Sequence, residues 1–167
     1  MRKMTEENLK NAYAGESQAH MKYLAFADAA EKEKFSNVAR LFRANSFAEQ
    51  VHATNHLRTL DGIRKTAANL RAALDGENFE VEEMYPAYKV VAENQGEKMA
   101  VMMFNAAMEA EKVHAGLYKR AKEVVDKGQD LGYFPVHVCS MCGFTVEGEA
   151  PDKCPVCGAP KEKFIKF

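Results

Sequence analysis

The chain has 167 residues, with 23 basic and 24 acidic side chains and a formal net charge of -1, enough for one sizeable core with or without a small appendage. That balance leaves no basic footprint and excludes nucleic acid or an anionic membrane as a partner. The opening Met1-Arg2-Lys3-Met4-Thr5-Glu6-Glu7 lacks the apolar core of a signal peptide, and the uncharged run Met99 to Met108 is too short to cross a bilayer, so the expected location is cytoplasmic.

Taken in order, Thr5 is expected to cap a first helix, with Glu6 and Glu7 at its positive end. Its seam reads Leu9, Tyr13, Glu16, His20, Tyr23 and Ala27, steps of four and three that mark one helical face with a carboxylate in the middle. Glu31-Lys32-Glu33-Lys34 interrupts it, and Ser36 is expected to cap a second helix with the seam Val38, Phe42, Asn45, Glu49, His52 and His56. Residues 61–78 read as a long connection fenced by Asp61-Gly62 and Asp75-Gly76, with a helix-compatible piece over 67–74. A third helix is predicted from near Asn78 to Gln95-Gly96, with Glu80 and Glu83 on one side and Pro86 loosening that segment. A fourth, from about Glu97 to Lys127, carries Phe104, Ala107, Glu111, His114, Tyr118 and Ala121 and stops at Gly128.

Two units stand out, Glu49-x-x-His52 and Glu111-x-x-His114. Residues three apart share a helix face, so each glutamate and histidine can reach one metal. A helical ion pair or a packed histidine gives the same four letters more often, but the repetition makes the joint pattern hard to dismiss. In an antiparallel hairpin, residues at equal height lie symmetrically about the turn. Midway between Glu16 and Glu49 falls the Glu31–Lys34 interruption, and midway between Glu83 and Glu111 falls Glu97, beside Gly96. The chain thus reads as two copies of one helix-loop-helix, joined by a crossover long enough to run the length of a bundle. Superposing the copies gathers Glu16, Glu49, His52, Glu80, Glu83, Glu111 and His114, carboxylates that would repel one another and resist desolvation without cations between them. Such a donor set suits iron or manganese, in the manner of ferritin-like di-iron bundles. His20 and His56 are expected to support or pack, and Tyr23, Tyr85 and Tyr88 to serve as core aromatics.

After Gly128 the helical period is lost. Cys139-Ser-Met-Cys142-Gly143 and Cys154-Pro-Val-Cys157-Gly158 are two knuckles, each with a glycine whose positive φ lets backbone amides turn toward the sulfurs. Four thiolates so spaced predict a tetrahedral metal site, either structural zinc or a one-electron iron–tetrathiolate centre. The expected fold is an all-α four-helix ferritin-like bundle over residues 1–130 with a small rubredoxin-like β/knuckle domain over 131–167.

These motifs, with Gly15-Glu16-Ser17-Gln18-Ala19 and Glu80-x-x-Glu83-Met84-Tyr85-Pro86, resemble those of the rubrerythrins over essentially the whole chain. The resemblance implies a non-haem di-iron peroxidase that reduces hydrogen peroxide in oxidative-stress defence. It implies two irons with oxo and carboxylate bridges, and one iron (or zinc) held by Cys139, Cys142, Cys154 and Cys157. Glu49 and Glu111 would bridge, Glu16, Glu80, Glu83 and His114 would be terminal, and His52 and Glu83 would exchange at one iron with redox state. Protons are expected from a released carboxylate or from Tyr23 and Tyr88. Electrons would come from a rubredoxin or an NAD(P)H-dependent reductase, and the resemblance implies a homodimer, with exchange of helical hairpins between chains left open. Other classes to weigh are a ferroxidase or iron-handling protein and a structural zinc-ribbon binding module.

Overall fold

The computed structural model describes residues 1–167, and the chain divides into two compact units, Met1–Arg64 and Lys65–Phe167. The first is a helical hairpin of α1 (Lys3–Lys32) and α2 (Ser36–Thr59). The helices run antiparallel, as the facing pairs His20 and Ser46, Tyr23 and Phe42, and Glu31 and Arg43 require. Small residues line the contact: Ala27, Ala30, Ala39, Ser46 and Ala53 are buried, which lets the two backbones approach. His20 and Ser46 pin the pair reciprocally. Ser46 Oγ donates to the His20 carbonyl at 2.9 Å, and His20 Nδ1 lies 2.9 Å from the Ser46 carbonyl. His20 is therefore a packing residue that locks the hairpin.

The caps differ from expectation. Arg2 precedes α1, so Thr5 lies inside the first turn, and Phe35 precedes α2 without a side-chain cap. Ser36 Oγ instead donates to Glu31 Oε1 at 2.9 Å, closing the turn in which Lys34 adopts φ 66°.

The second unit opens with a continuous helical run. It comprises α3 (Thr66–Phe79), a π-helical turn over Glu80–Met84 and α4 (Tyr85–Asn94). Gly96, at φ 74°, turns the chain into α5 (Lys98–Val125). The long connection expected over 61–78 is thus corrected. Asp75-Gly76 does not break the helix, because glycine inside a helix costs only about 1 kcal/mol relative to alanine and Asp75 accepts from Arg71 Nε one turn back at 2.8 Å. Only residues 60–65 separate α2 from α3.

After Gly128 a three-stranded antiparallel sheet forms from β1 (Val136–Cys139), β2 (Thr145–Glu147) and β3 (Phe164–Lys166), in the order β2-β1-β3. Val138 faces Thr145 on one side and Ile165 on the other. No helix of the chain is long and apolar enough to cross a membrane.

Candidate metal centres

The four cysteines converge at the open end of this sheet, with all four sulfurs within 4.8 Å of one another. Cys139 and Cys157 Sγ are 3.7 Å apart, and Cys142 and Cys154 Sγ 3.6 Å. A tetrahedral ion with metal–sulfur bonds of about 2.3 Å needs S···S edges of about 3.8 Å, so this donor set fits a single metal. Both knuckles close alike: Gly143 N–H donates to the Cys139 carbonyl and Gly158 N–H to the Cys154 carbonyl, each at 2.9 Å, with φ of 80° and 72°. The glycines turn the backbone around sulfur as expected. Burial works against the Cys154 thiolate, but the amides of Cys157 and Val156 outweigh it and lower its pKa. At Cys142 burial wins over the amide of Phe144 and raises the pKa. Burial raises the Cys157 pKa as well, so two of the four thiols resist ionising without a cation.

The carboxylate and imidazole donors form two groups, one in each unit. In the hairpin, Glu16, Glu49 and His52 lie within 4.8 Å of one another. His52 Nδ1 is 3.0 Å from Glu49 Oε2 and 3.8 Å from Glu16 Oε1. The imidazole is half-exposed and both contacts run through one nitrogen. His56 is absent from the group.

The second unit gathers Glu77, Glu111 and His114. His114 Nδ1 is 2.5 Å from Glu111 Oε2. Glu77 had no place in the sequence reading, which started the helix at Asn78. The spacing of Glu77, Glu80 and Glu83 by threes was the available signal. Burial and the adjacent Glu111 carboxylate push the Glu77 carboxyl up to about 7, and its Oε2 is buried without a hydrogen-bond partner. An orphaned buried carboxylate oxygen against a second carboxylate fits a site built for cations. Glu80 lies just outside the tight group, yet burial and Glu111 raise its pKa while His114 opposes them. Glu83 is exposed.

The π turn accounts for this placement. Tyr85 N–H bonds to the Glu80 carbonyl, five residues back, directly before Pro86, which has no N–H to continue an α-helical ladder. Glu80 and Glu83 therefore sit on irregular backbone, as the proline suggested. Tyr85 feels these carboxylates: burial raises its pKa first, followed by Glu80, Glu111 and Glu77. Tyr88 packs on Phe104 and Tyr23 on Phe26 and Phe42.

Within the second unit, β2 lies along α5. A side chain on Gly143 would meet Ala110 Cβ at 4.0 Å, Thr145 Oγ1 is 2.8 Å from His114 Nε2, and Glu147 pairs with Arg120, whose guanidinium also covers Phe134. The register is consistent. Gly143 to Glu147 spans about 13 Å of strand, and Ala110 to Arg120 about 15 Å of helix. The cysteine knuckle is thereby seated on the helix that carries Glu111 and His114.

A Glu-x-x-His helix in each helical unit, with a four-cysteine knuckle module seated on one of them, defines a ferritin-like di-iron carboxylate protein bearing a rubredoxin-like module. Comparison with known proteins narrows this. Residues 7–122 match the Rubrerythrin family, and residues 137–165 match "Rubrerythrin, rubredoxin-like domain". The chain is 38% identical to Rubrerythrin-2 of Clostridium acetobutylicum, across 98% of this chain and 97% of that protein. It is 37% identical to nigerythrin of Nitratidesulfovibrio vulgaris, across 98% and 86%. The solved structure of nigerythrin in its fully reduced, all-ferrous state matches with a TM-score of 0.56 at 36% identity, again across 98% and 86%. The chain belongs to the rubrerythrin family, oxidoreductases with a di-iron site and a rubredoxin-like tetrathiolate site.

Proposed function

We propose that this protein is a non-haem di-iron peroxidase that reduces hydrogen peroxide to water in cytoplasmic oxidative-stress defence, with residues 131–167 as its electron-carrying domain. The observation that carries the reading is the seat of the cysteine knuckle on α5, which would put a one-electron carrier on the helix holding Glu111 and His114. A ferroxidase or a zinc-ribbon module would need no electron passed across that contact. Two irons held by the carboxylate and imidazole donors would supply the electron pair that peroxide reduction consumes, and an iron held by Cys139, Cys142, Cys154 and Cys157 would supply one-electron chemistry.

In this reading Glu49 and Glu111 would hold both irons, and Glu16, Glu80, Glu83 and His114 would each hold one. His52 and Glu83 would be the pair that exchanges as ligands, a role that suits their exposure and the irregular backbone under Glu83. Glu77 adds a carboxylate beside Glu111 that can hold a proton when no cation is near. Tyr85, whose charge environment includes Glu77, Glu80 and Glu111, replaces Tyr23 and Tyr88 as the tyrosine placed to pass protons. The electron source is a rubredoxin or an NAD(P)H-linked reductase.

The active form in this reading is a homodimer. Ferritin-like bundles need one crossover along the bundle between their second and third helices. The link over residues 60–65 extends at most about 25 Å, whereas the 24 residues of α2 span about 36 Å. Exchange of hairpins between two chains removes the need for the crossover.

The test is metal analysis and a visible spectrum, followed by anaerobic reduction and one equivalent of hydrogen peroxide. Roughly three irons per chain, a thiolate-to-iron band that bleaches on reduction and its rapid return with peroxide are expected. A colourless protein with zinc in the cysteine site, or a band that dioxygen restores faster than peroxide does, would overturn the peroxidase reading.

A further inference from the structure

The hydroxyl of Thr145 has one hydrogen and two polar neighbours. Its Oγ1 donates to the Gly143 carbonyl at 3.0 Å, which commits the hydrogen to the knuckle backbone. His114 Nε2, 2.8 Å from the same oxygen, must then be the donor, because Oγ1 has only lone pairs left to offer. Nε2 thus carries a proton. Nδ1, 2.5 Å from Glu111 Oε2 and on the side of Glu77, is the nitrogen that a metal among these carboxylates would take. Thr145 is 7% exposed, so water does not readily take the place of its hydroxyl. The docking of β2 on α5 at Gly143 and Glu147 holds the hydroxyl in place from either side.

We propose that Thr145 is the positioning residue for His114. From the rubredoxin-like sheet it sets the tautomer and ring orientation of a di-iron ligand on α5, and links that ligand through Gly143 to Cys142. His52 has no such partner, since both its contacts are carboxylates at Nδ1. The inference rests on His114 being a metal ligand, as in the proposed function, and makes Thr145 the means by which the cysteine knuckle and the His114 end of the carboxylate site are held in register.

The test uses the full chain loaded with zinc(II), which is redox-silent, and reads the ring nitrogens of His114 by 15N NMR together with zinc affinity by competition titration. In the wild-type protein Nδ1 is expected to be metal-bound and Nε2 to carry a slowly exchanging proton. Thr145→Val keeps the volume and the strand preference but removes the hydroxyl. It is expected to speed exchange of that proton at least about tenfold and to weaken zinc binding at the carboxylate site by about 10–100-fold, the usual loss when a ligand's supporting partner is removed. Zinc in the cysteine site should be unchanged, and Thr145→Ser should restore both signals. Wild-type exchange and affinity in Thr145→Val would overturn the inference, as would a Thr145→Ser variant impaired as much as the valine, which would assign the effect to the methyl group. Absence of zinc from both ring nitrogens of wild-type His114 would overturn the ligand assignment and this inference together.

Discussion

The two Glu-x-x-His helices use one motif in different surroundings. Glu49 and His52 lie on an uninterrupted α-helix, and the imidazole is half-exposed with only carboxylates for company. Glu111 and His114 are half-buried, with a second carboxylate from α3 on one side and a hydroxyl from β2 on the other. The first histidine meets carboxylates of two helices at one nitrogen and nothing at the other, whereas the second stands among three separate elements. A ligand that must leave in one redox state is better placed in the first setting, and one that must stay in the second. This agrees with His52 as the exchanging histidine.

The largest effect should come from removing a bridge. Glu49→Ala or Glu111→Ala is expected to abolish metal binding at the carboxylate site while the cysteine site keeps its iron and its colour. Metal analysis showing two retained irons outside the cysteine site would end the bridging assignment. Comparing histidines is finer. His114→Ala should weaken binding at the carboxylate site at least about tenfold more than His52→Ala, because only the first loses a supported ligand. Equal losses in a competition titration would mean that the surroundings of His114 do not matter.

The cysteine knuckles and both Glu-x-x-His units could be read directly from the sequence, because their chemistry depends on local spacing and on two turns that glycine makes. Glu77 and Thr145 were harder for opposite reasons. Glu77 was hidden by Asp75-Gly76, a turn signature outvoted here by the Arg71–Asp75 pair and the helical run on either side. Thr145 carries no local signal at all. Its position against His114 follows from how a small sheet docks on a long helix, a tertiary fact that no window of sequence contains. The hairpin caps failed on a smaller scale, since Ser36 found Glu31 across the turn before it could bond its own helix.

Glu77 gives a test of intermediate size. In the metal-free protein its buried Oε2 has no hydrogen-bond partner, and burial beside Glu111 disfavours its charge. Glu77→Gln supplies an N–H donor and removes one charge, so the metal-free variant should be more stable than wild type by about 1 kcal/mol, or roughly 2–4 °C in a chain of this size. With iron bound the sign should reverse, since a carboxylate near two cations has become an amide. Thermal melts with and without metal decide this. A variant stabilised in both states would show Glu77 to be an ordinary buried charge with no relation to the metal.

The smallest expected effect concerns Pro86. A proline in a helix interior costs about 3 kcal/mol, and the sequence alone places Pro86 well inside the third helix. In the structure the helical run widens into a π turn just ahead of it, so Pro86 stands in the first turn of α4, where the ladder is already shifted and the proline disturbs it less than in a regular helix interior. Pro86→Ala should therefore change stability by well under that amount. A gain approaching about 3 kcal/mol in denaturant unfolding would mean that the proline strains the helix in place. The backbone response is the sharper measure. An alanine N–H at 86 can bond one turn back, which favours closing the π turn into regular α-helix and rotating Glu80 relative to Glu83. A crystal structure of the variant that keeps the π turn would show that Glu80–Met84 adopts it independently of the proline, and the mobility of Glu83 would then need a cause within the turn itself.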